Sequence, residues 1–287
     1  MPTHAVQEFY EQFPFPSKVL RTRKDLFKNA AWVSTLAGRK PSEFREGEKI
    51  LEAGCGTGEF SAGFALGKAQ VLGIDLSETS IERAKALAKK FKLKNVEFKQ
   101  MDLLKNNLPK KHFDFIFSMG VLHHTEKPKE AFGKLAELLK PGGCIVIGLY
   151  NKYARLPVLL QSLFLRMLAG KNLQKRITLA NKLFYYNKPL TERRRIRLAD
   201  KYAHPLQKTV SLGKALQWFR ENDIEFVAAK PEIEQNALAG KVKQLLIQLR
   251  WMLGGESFFT IAGMRTGTRK KQRPMPGCSG VKSKSLL

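Results

Sequence analysis

Acidic residues are scarce in this chain. Only 25 Asp and Glu stand against 51 Lys and Arg in 287 residues, a formal net charge of +26 with a sequence pI near 10.1. So large an imbalance calls for an anionic partner, whether nucleic acid, a membrane face or an acidic substrate, unless it serves solubility alone. Cysteine is scarcer still. Cys55, Cys144 and Cys278 are the only three, which excludes a disulfide framework, and no pair has zinc-knuckle spacing. No run of about 18 apolar residues occurs, so no transmembrane helix is expected. The opening MPTHAVQEFYEQFPF lacks a cationic head followed by an apolar run, so no secretory signal is read and the expected compartment is cytoplasmic. No internal repeat is visible. What remains fits one large domain, or one domain with an insertion, and 43% hydrophobic content supports a full core.

Residues 1–38 form a lead segment with an aromatic–proline cluster, Phe9-Tyr10 and Phe13-Pro14-Phe15-Pro16. Residues 39–264 read as the main domain. Apolar runs at Lys49–Ala53, Val71–Ile74, Val96–Phe98, Phe113–Ser118 and Cys144–Leu149 are candidate strands. Between them lie helical patterns. In SETSIERAKALAKKF, Ser77 or Thr79 can cap a helix whose Ile81, Ala84, Leu87, Ala88 and Phe91 recur at helical spacing. KEAFGKLAELLKPGG is expected to stop at Pro141-Gly142-Gly143. Strands alternating with helices predict a parallel sheet covered on both faces. Residues 151–212 break that rhythm as a helical insert with 14 Lys/Arg and 2 Asp/Glu. Alternation returns over 213–264, and 265–287 carry 7 Lys/Arg and no acid, the composition of a disordered tail. Most of the excess charge thus lies in the insert and tail, outside the first half.

The first strand runs into LEAGCGTGEF. Its glycines, Gly54, Gly56 and Gly58, follow G-x-G-x-G rather than the dinucleotide G-x-G-x-x-G, and Glu59 stands where the third dinucleotide glycine would fall. No Gly-Lys-Ser/Thr follows, which excludes a P-loop. A pyrophosphate has no use for Glu52 and Glu59 nearby. S-adenosylmethionine, which carries a sulfonium and an ammonium and no phosphate, suits these acids. Asp75 ends the second strand in GIDLS, about where an acid takes both ribose hydroxyls in the dinucleotide fold. Asp102, in KQMDLL, follows the third strand, where it can accept from the adenine amino group with Met101 or Leu103 against the ring.

With LEAGCGTG, GIDLS, QMDL, FDFIFSMGVLHHT and LLKPGG in that order, the chain resembles the class I S-adenosylmethionine-dependent methyltransferases, in particular their small-molecule and lipid-quinone branch. The resemblance spans about residues 48–150. It implies an α/β fold with a Rossmann-like, doubly wound seven-stranded sheet, its last strand antiparallel, and here a helical insert after the fifth strand. It also implies a cofactor site at Glu52, Gly54, Cys55, Gly56, Thr57, Gly58, Asp75, Leu76, Asp102, Leu103 and Ser118. Cys55 is expected as a small loop filler and not a nucleophile.

Methyl transfer is an in-line displacement in which positioning supplies much of the rate, and a base is needed when the acceptor is protonated. His123 and His124, just past the fourth strand, are the candidate catalytic bases. Some relatives carry an acid-acid-histidine metal site at this point. Gly120 and His123 stand where those acids would be, so no metal is expected. VQEFYEQFPFPS is similar to lead segments that fold over the site in such enzymes, which makes Tyr10, Phe13 and Phe15 candidate substrate-pocket residues.

The acceptor is less legible. Ser118-Met119-Gly120-Val121 stands where adenine-amino enzymes carry Asn/Asp-Pro-Pro-aromatic, no Lys-Asp-Lys-Glu ribose-methylating tetrad is seen, and Cys144 is badly placed for cytosine C5 chemistry. ARLPVLLQSLFLRMLAG is apolar with isolated bases, and KVKQLLIQLRWMLGG is a basic amphipathic helix. Both suit a lid, or peripheral contact with an anionic membrane. The expected acceptor is therefore a small-molecule or lipid-like compound. RNA, held by the basic insert and tail, is the alternative, and a binding module without turnover the third reading.

Overall fold

Short runs of Val, Ile, Leu and Phe bounded by glycine or polar turns form the centre of the computed structural model, which describes residues 2–233 and 240–267. The parallel strands are β1 (Lys49–Ala53), β2 (Gln70–Asp75), β3 (Val96–Gln100), β4 (Phe113–Met119) and β5 (Leu139–Tyr150). β6 (Ile224–Lys230) lies at the edge, and β7 (Phe258–Arg265) inserts between β5 and β6, antiparallel to both. The order is β3-β2-β1-β4-β5-β7-β6, the expected seven-stranded sheet with its last strand reversed. The order turns around at β1, which has β2 on one side and β4 on the other. A crevice opens beyond the carboxyl ends of the strands at such a switch point.

The helices are α1 (Pro2–Gln12), α2 (Arg23–Ser34), α3 (Glu59–Phe64), α4 (Glu78–Lys90), α5 (Pro128–Leu138), α6 (Leu156–Ala169), α7 (Leu173–Phe184), α8 (Glu192–Tyr202), α9 (Leu212–Glu221) and α10 (Lys241–Leu253). Strand side chains alternate between faces, so neighbours such as Ile50 and Leu51 enter different cores. Leu51, Ile116, Ile145 and Ile147 pack with Phe132, Leu135 and Phe219 of α5 and α9. Ile50, Phe115, Phe117 and Val146 pack with Phe44, Phe64, Ala30 and Val33. A third core joins α1 to the insert: Phe9 and Phe13 meet Val158, Leu165, Ile177, Ile196 and Tyr202. Lead segment and insert thus form one helical cap. Among the described residues no helix is long and apolar enough to cross a membrane.

Ser77 caps α4, its side chain accepting from the Ser80 amide. The expected stop at Pro141-Gly142-Gly143 is displaced. α5 ends at Leu138, and β5 begins at Leu139, paired with Phe113. The Arg265 guanidinium donates to the carbonyls of Ala136 and Leu139 at 2.6 and 2.7 Å and so satisfies that helix end. The proline and glycines instead form the irregular start of the strand, before pairing resumes at Phe115–Cys144. Arg265 accordingly belongs to β7 and not to a tail. Residues 268–287, including Cys278 and the rest of the expected tail, lie outside the described residues.

Candidate active site

The glycine loop turns back over β2. The Gly54 and Cys55 amides both donate to the Ile74 carbonyl, at 2.7 and 2.9 Å. Gly54 (φ +77°) and Gly56 (φ +51°) take the left-handed conformation that glycine enters without strain. Any side chain there would also collide: a Cβ on Gly54 would lie 2.2 Å from the Val121 side chain, and one on Gly56 2.0 Å from the Phe15 carbonyl oxygen. The loop is thereby pressed between the β4 end and the lead segment.

A cavity of about 530 Å³ opens over this loop, and Glu52, Asp75 and Asp102 all line it. Asp75 is braced by two amides, Gly56 onto Oδ2 at 2.8 Å and Ser77 onto Oδ1 at 3.0 Å. Glu52 accepts from the Ser61 amide and hydroxyl through Oε2 alone. Asp102 accepts from the Leu104 amide at 2.9 Å. Burial raises the Glu52 and Asp75 carboxyls above the usual range, against the hydrogen bonds that oppose it. Three acids around one apolar-walled space favour a ligand with positive charge and hydroxyl or amino donors.

Of the other expected cofactor residues, Gly54, Cys55, Gly56, Leu76 and Leu103 line the same cavity. Burial pushes the Cys55 thiol well up, as befits a filler. Thr57, Gly58 and Ser118 stand behind the wall. The Thr57 hydroxyl donates to Glu59 at 2.7 Å, its amide donates to the Phe15 carbonyl, and its Oγ1 accepts from the Ser17 amide. Gly58 precedes α3 and donates to the Cys55 carbonyl. Ser118 is fully buried and donates to the Ala53 carbonyl at 2.9 Å, tying β4 to β1.

The two histidines part company. His123 is fully buried, stacks on Tyr150 at 3.8 Å between centroids, accepts from the Tyr150 amide at 3.3 Å and is not in the cavity wall. His124 is in the wall. Its Nδ1 contacts the Leu206 carbonyl at 2.8 Å. A carbonyl only accepts, so Nδ1 carries the proton and Nε2 keeps the lone pair. Nε2 lies 3.8 Å from Oδ1 of Asp200. Burial holds His124 below the usual imidazole range, with Asp200 opposing, so this contact is not an ion pair at neutral pH. The geometry is that of a base whose cation a carboxylate would stabilise once formed.

Asp200 comes from α8 of the insert and gave no sequence signal, being one acid in an Arg-rich helix. Tyr10 and Tyr150 both donate to it, at 3.3 and 3.1 Å. Burial first, then Asp200, raises the Tyr10 phenol. Tyr10 and Phe15 line the cavity, whereas Phe13 faces the cap core, 5.2 Å from the Phe9 ring. Thr3, Val6, Pro16, Lys18 and Trp32 of the lead segment, and Phe60 and Phe258 elsewhere, complete much of the wall. Val6 and Pro16 lie in the VQEFYEQFPFPS segment expected over the site, whereas nothing in the sequence marked the others as wall residues.

Residues 44–209, more than half of the chain, match the family described as "Methyltransferase domain". An uncharacterized protein of Synechococcus sp. is 25% identical over 249 residues, covering 78% of this chain and 59% of its own length. A ubiquinone biosynthesis O-methyltransferase of Rhodopseudomonas palustris is 34% identical over 111 residues, covering 37% of this chain and 42% of its own. The match thus spans about half the length of these curated relatives. Among solved structures, PKMT2 from Rickettsia typhi in complex with AdoHcy superposes with a TM-score of 0.63 at 19% identity, over 89% of this chain and 56% of that one. A geranyl diphosphate methyltransferase in complex with GPP and sinefungin gives 0.51 at 16% identity, over 83% and 77%. The strand order, the acid-lined glycine-loop cavity and the match over residues 44–209 agree: the chain belongs to the methyltransferase domain family and has the fold of the class I S-adenosylmethionine-dependent methyltransferases.

Proposed function

We propose that this protein methylates a hydroxyl of a small, lipid-like acceptor, using S-adenosylmethionine as donor and His124 as base. One observation carries the reading: the acids Glu52, Asp75 and Asp102 and the His124–Asp200 pair line the same cavity. The donor supplies a methyl group on a sulfonium that leaves readily. Glu52 has Oε2 engaged with Ser61, and its other oxygen takes the ammonium. Asp75, already oriented by two amides, retains lone pairs for the ribose hydroxyls. Asp102 serves the adenine amino group, with Leu76 and Leu103 along the ring.

His124 Nε2 accepts the hydroxyl proton as the acceptor oxygen attacks. Asp200 then faces a cation instead of a lone pair, and Tyr10 and Tyr150 hold that carboxylate in place. The lead segment and insert close the space against water, which strengthens each of these interactions. The acceptor class rests on the wall, where Tyr10, Phe15, Trp32, Phe60 and Phe258 stand, and on the kinship to ubiquinone O-methyltransferases. A space walled by lead segment and insert suits a small apolar molecule better than a polynucleotide.

The test is label transfer from methyl-labelled S-adenosylmethionine in a membrane-containing cell extract, followed by separation of lipid, small-molecule, RNA and protein fractions. Label is expected in the organic or small-molecule fraction and is lost in His124→Gln, which still binds the donor. Label in RNA overturns the acceptor class. A wild type that binds no donor overturns the whole reading.

A further inference from the structure

The insert carries a surface that methyl transfer does not use. α6 is apolar on both sides. Val158 and Leu165 point into the cap core, Leu165 with no exposure at all, and Ala169 is also buried. On the opposite side Leu156, Leu160, Leu163, Phe164, Met167 and Leu168 are exposed, from 45% for Phe164 to 72% for Met167. Their spacing, four, three, one, three and one residues apart, puts all six on a single helical face three turns long. Scattered exposed leucines are ordinary, but a continuous stripe marks an interaction site.

We propose that this face of α6 seats the protein on the surface of an anionic lipid bilayer. Charge selects the occupant. Residues 151–212 carry a net charge of +12, and Lys152, Arg166, Lys171, Lys175 and Lys182, on α6, on α7 and in the segments next to them, are exposed. A second copy packed on the stripe would bring another +12 insert against the first. Nucleic acid would answer the charges and leave the leucines uncovered. An anionic bilayer answers both, taking the apolar side chains at its acyl boundary and the lysines at its headgroups. α10 repeats the pattern, with Val242, Leu246 and Leu253 exposed on one face while Lys241, Lys243 and Arg250 are exposed beside it.

The same insert reaches the cavity. α6 is tied to α8 by a hydrogen bond from the Tyr202 hydroxyl to Gln161 at 3.1 Å, and α8 supplies Asp200. Docking α6 therefore presents the cap to the phase in which a lipid-like acceptor dissolves. This link rests on the proposed function, whereas the docking itself does not.

The test is co-sedimentation of the full chain with vesicles of phosphatidylcholine alone and of phosphatidylcholine mixed with phosphatidylglycerol. The comparison variant is Leu160→Gln/Leu163→Gln/Met167→Gln, with donor binding and thermal unfolding as checks that it folds. Wild type is expected to sediment with the mixed vesicles, weakly with the neutral ones, and less as salt rises. The triple variant should bind the mixed vesicles on the order of tenfold or more weakly. A second variant, Lys171→Glu/Lys175→Glu, should lose the preference for anionic lipid while keeping its fold. Equal binding to both vesicle types, no binding to either, undiminished binding by the triple variant, or a dimer that the triple variant dissolves would each overturn the proposal. Vesicle binding without label in the organic or small-molecule fraction would leave the docking standing and overturn the acceptor class. The reverse result would overturn the docking alone.

Discussion

Removing His204 should make the fold less sensitive to acid. His204 is buried beside the cavity wall, with its ring 3.8 Å from that of His124 and 4.7 Å from Phe9. Its Nδ1 accepts from the Leu206 amide at 3.1 Å, which places its proton on Nε2, and Nε2 is buried without a partner. Burial first, then His124, pushes it well below the ordinary imidazole range. Such a histidine stabilises the fold only while neutral. Its contribution is full above the unfolded value near pH 6.5 and is lost as pH falls from there toward the lowered folded value. The loss approaches about 1.4 kcal/mol per pH unit, or roughly 1 kcal/mol between pH 6.5 and 5.5, because the first part of that window straddles the midpoint. His204→Asn keeps an acceptor for the Leu206 amide and removes the proton site. Urea unfolding of both proteins across pH 5.5–8 should give curves that separate steadily as pH falls. A constant cost of substitution shifts one curve vertically and leaves its slope untouched. The raised carboxyls of Glu52, Glu59 and Asp75 act in the opposite direction, but they are common to both proteins and cancel in the difference. Parallel curves would refute the reasoning.

Three further outcomes follow from the site. Asp75→Asn must turn an NH₂ toward either the Gly56 or the Ser77 amide, since both carboxylate oxygens are used; calorimetry should find donor affinity reduced by about 10- to 100-fold, from the roughly 1.5–3 kcal/mol of a charge-assisted hydrogen bond, and unchanged affinity would sink the assignment. Gly56→Ala drives a methyl into the Phe15 carbonyl oxygen and strains a left-handed backbone, so limited proteolysis should cut the lead segment faster; equal resistance would mean that the segment is not held there. Asp200→Asn should lower kcat with little change in KM and lower the pH at which activity falls off on the acid side, because the carboxylate no longer favours the cationic form of His124. A proportional rise in KM alone would assign Asp200 to acceptor binding.

The floor of the site could be read in the sequence because its parts are local. Each acid stands at or just beyond the end of a strand whose apolar run announces it: Glu52 in β1, Asp75 at the end of β2, Asp102 after β3. The glycines lie in the next few residues, and the strand-helix alternation then orders the sheet. The roof was largely illegible because it is made by contacts across great sequence separation. Tyr10 meets Asp200 across 190 residues and His124 meets Leu206 across 82. His123 and His124 are adjacent in sequence and chemically identical, and only the 3₁₀ turn at Leu122–His124 decides which one enters the wall. Phe13 and Phe15 differ in the same way, one facing the cap core and the other the cavity. No periodicity distinguishes neighbours whose roles are set by a partner elsewhere in the chain.

Charge follows the same division between floor and roof. The floor concentrates acids at the cavity, where burial raises two of them and a cationic ligand would be welcome. The cap is strongly basic, yet the polar groups it offers the cavity are mostly uncharged or acidic, the Tyr10 hydroxyl, Thr3, Asn29 and Asp200, beside the two lysines Lys18 and Lys28, and neither lysine comes from the insert. Arg155 is turned away from bulk water onto the Tyr150 ring, 3.7 Å from its centroid, so it steadies the tyrosine that holds Asp200. If the cap's cations served a polyanionic acceptor, they would be expected along the path to His124. Within the insert, Lys152, Arg166, Lys171, Lys175 and Lys182 are instead exposed and absent from the cavity wall. On the proposed readings the insert's net charge and the cavity acids are therefore separate devices, the acids of the floor serving a small cofactor and the exposed cations of the insert serving a lipid surface.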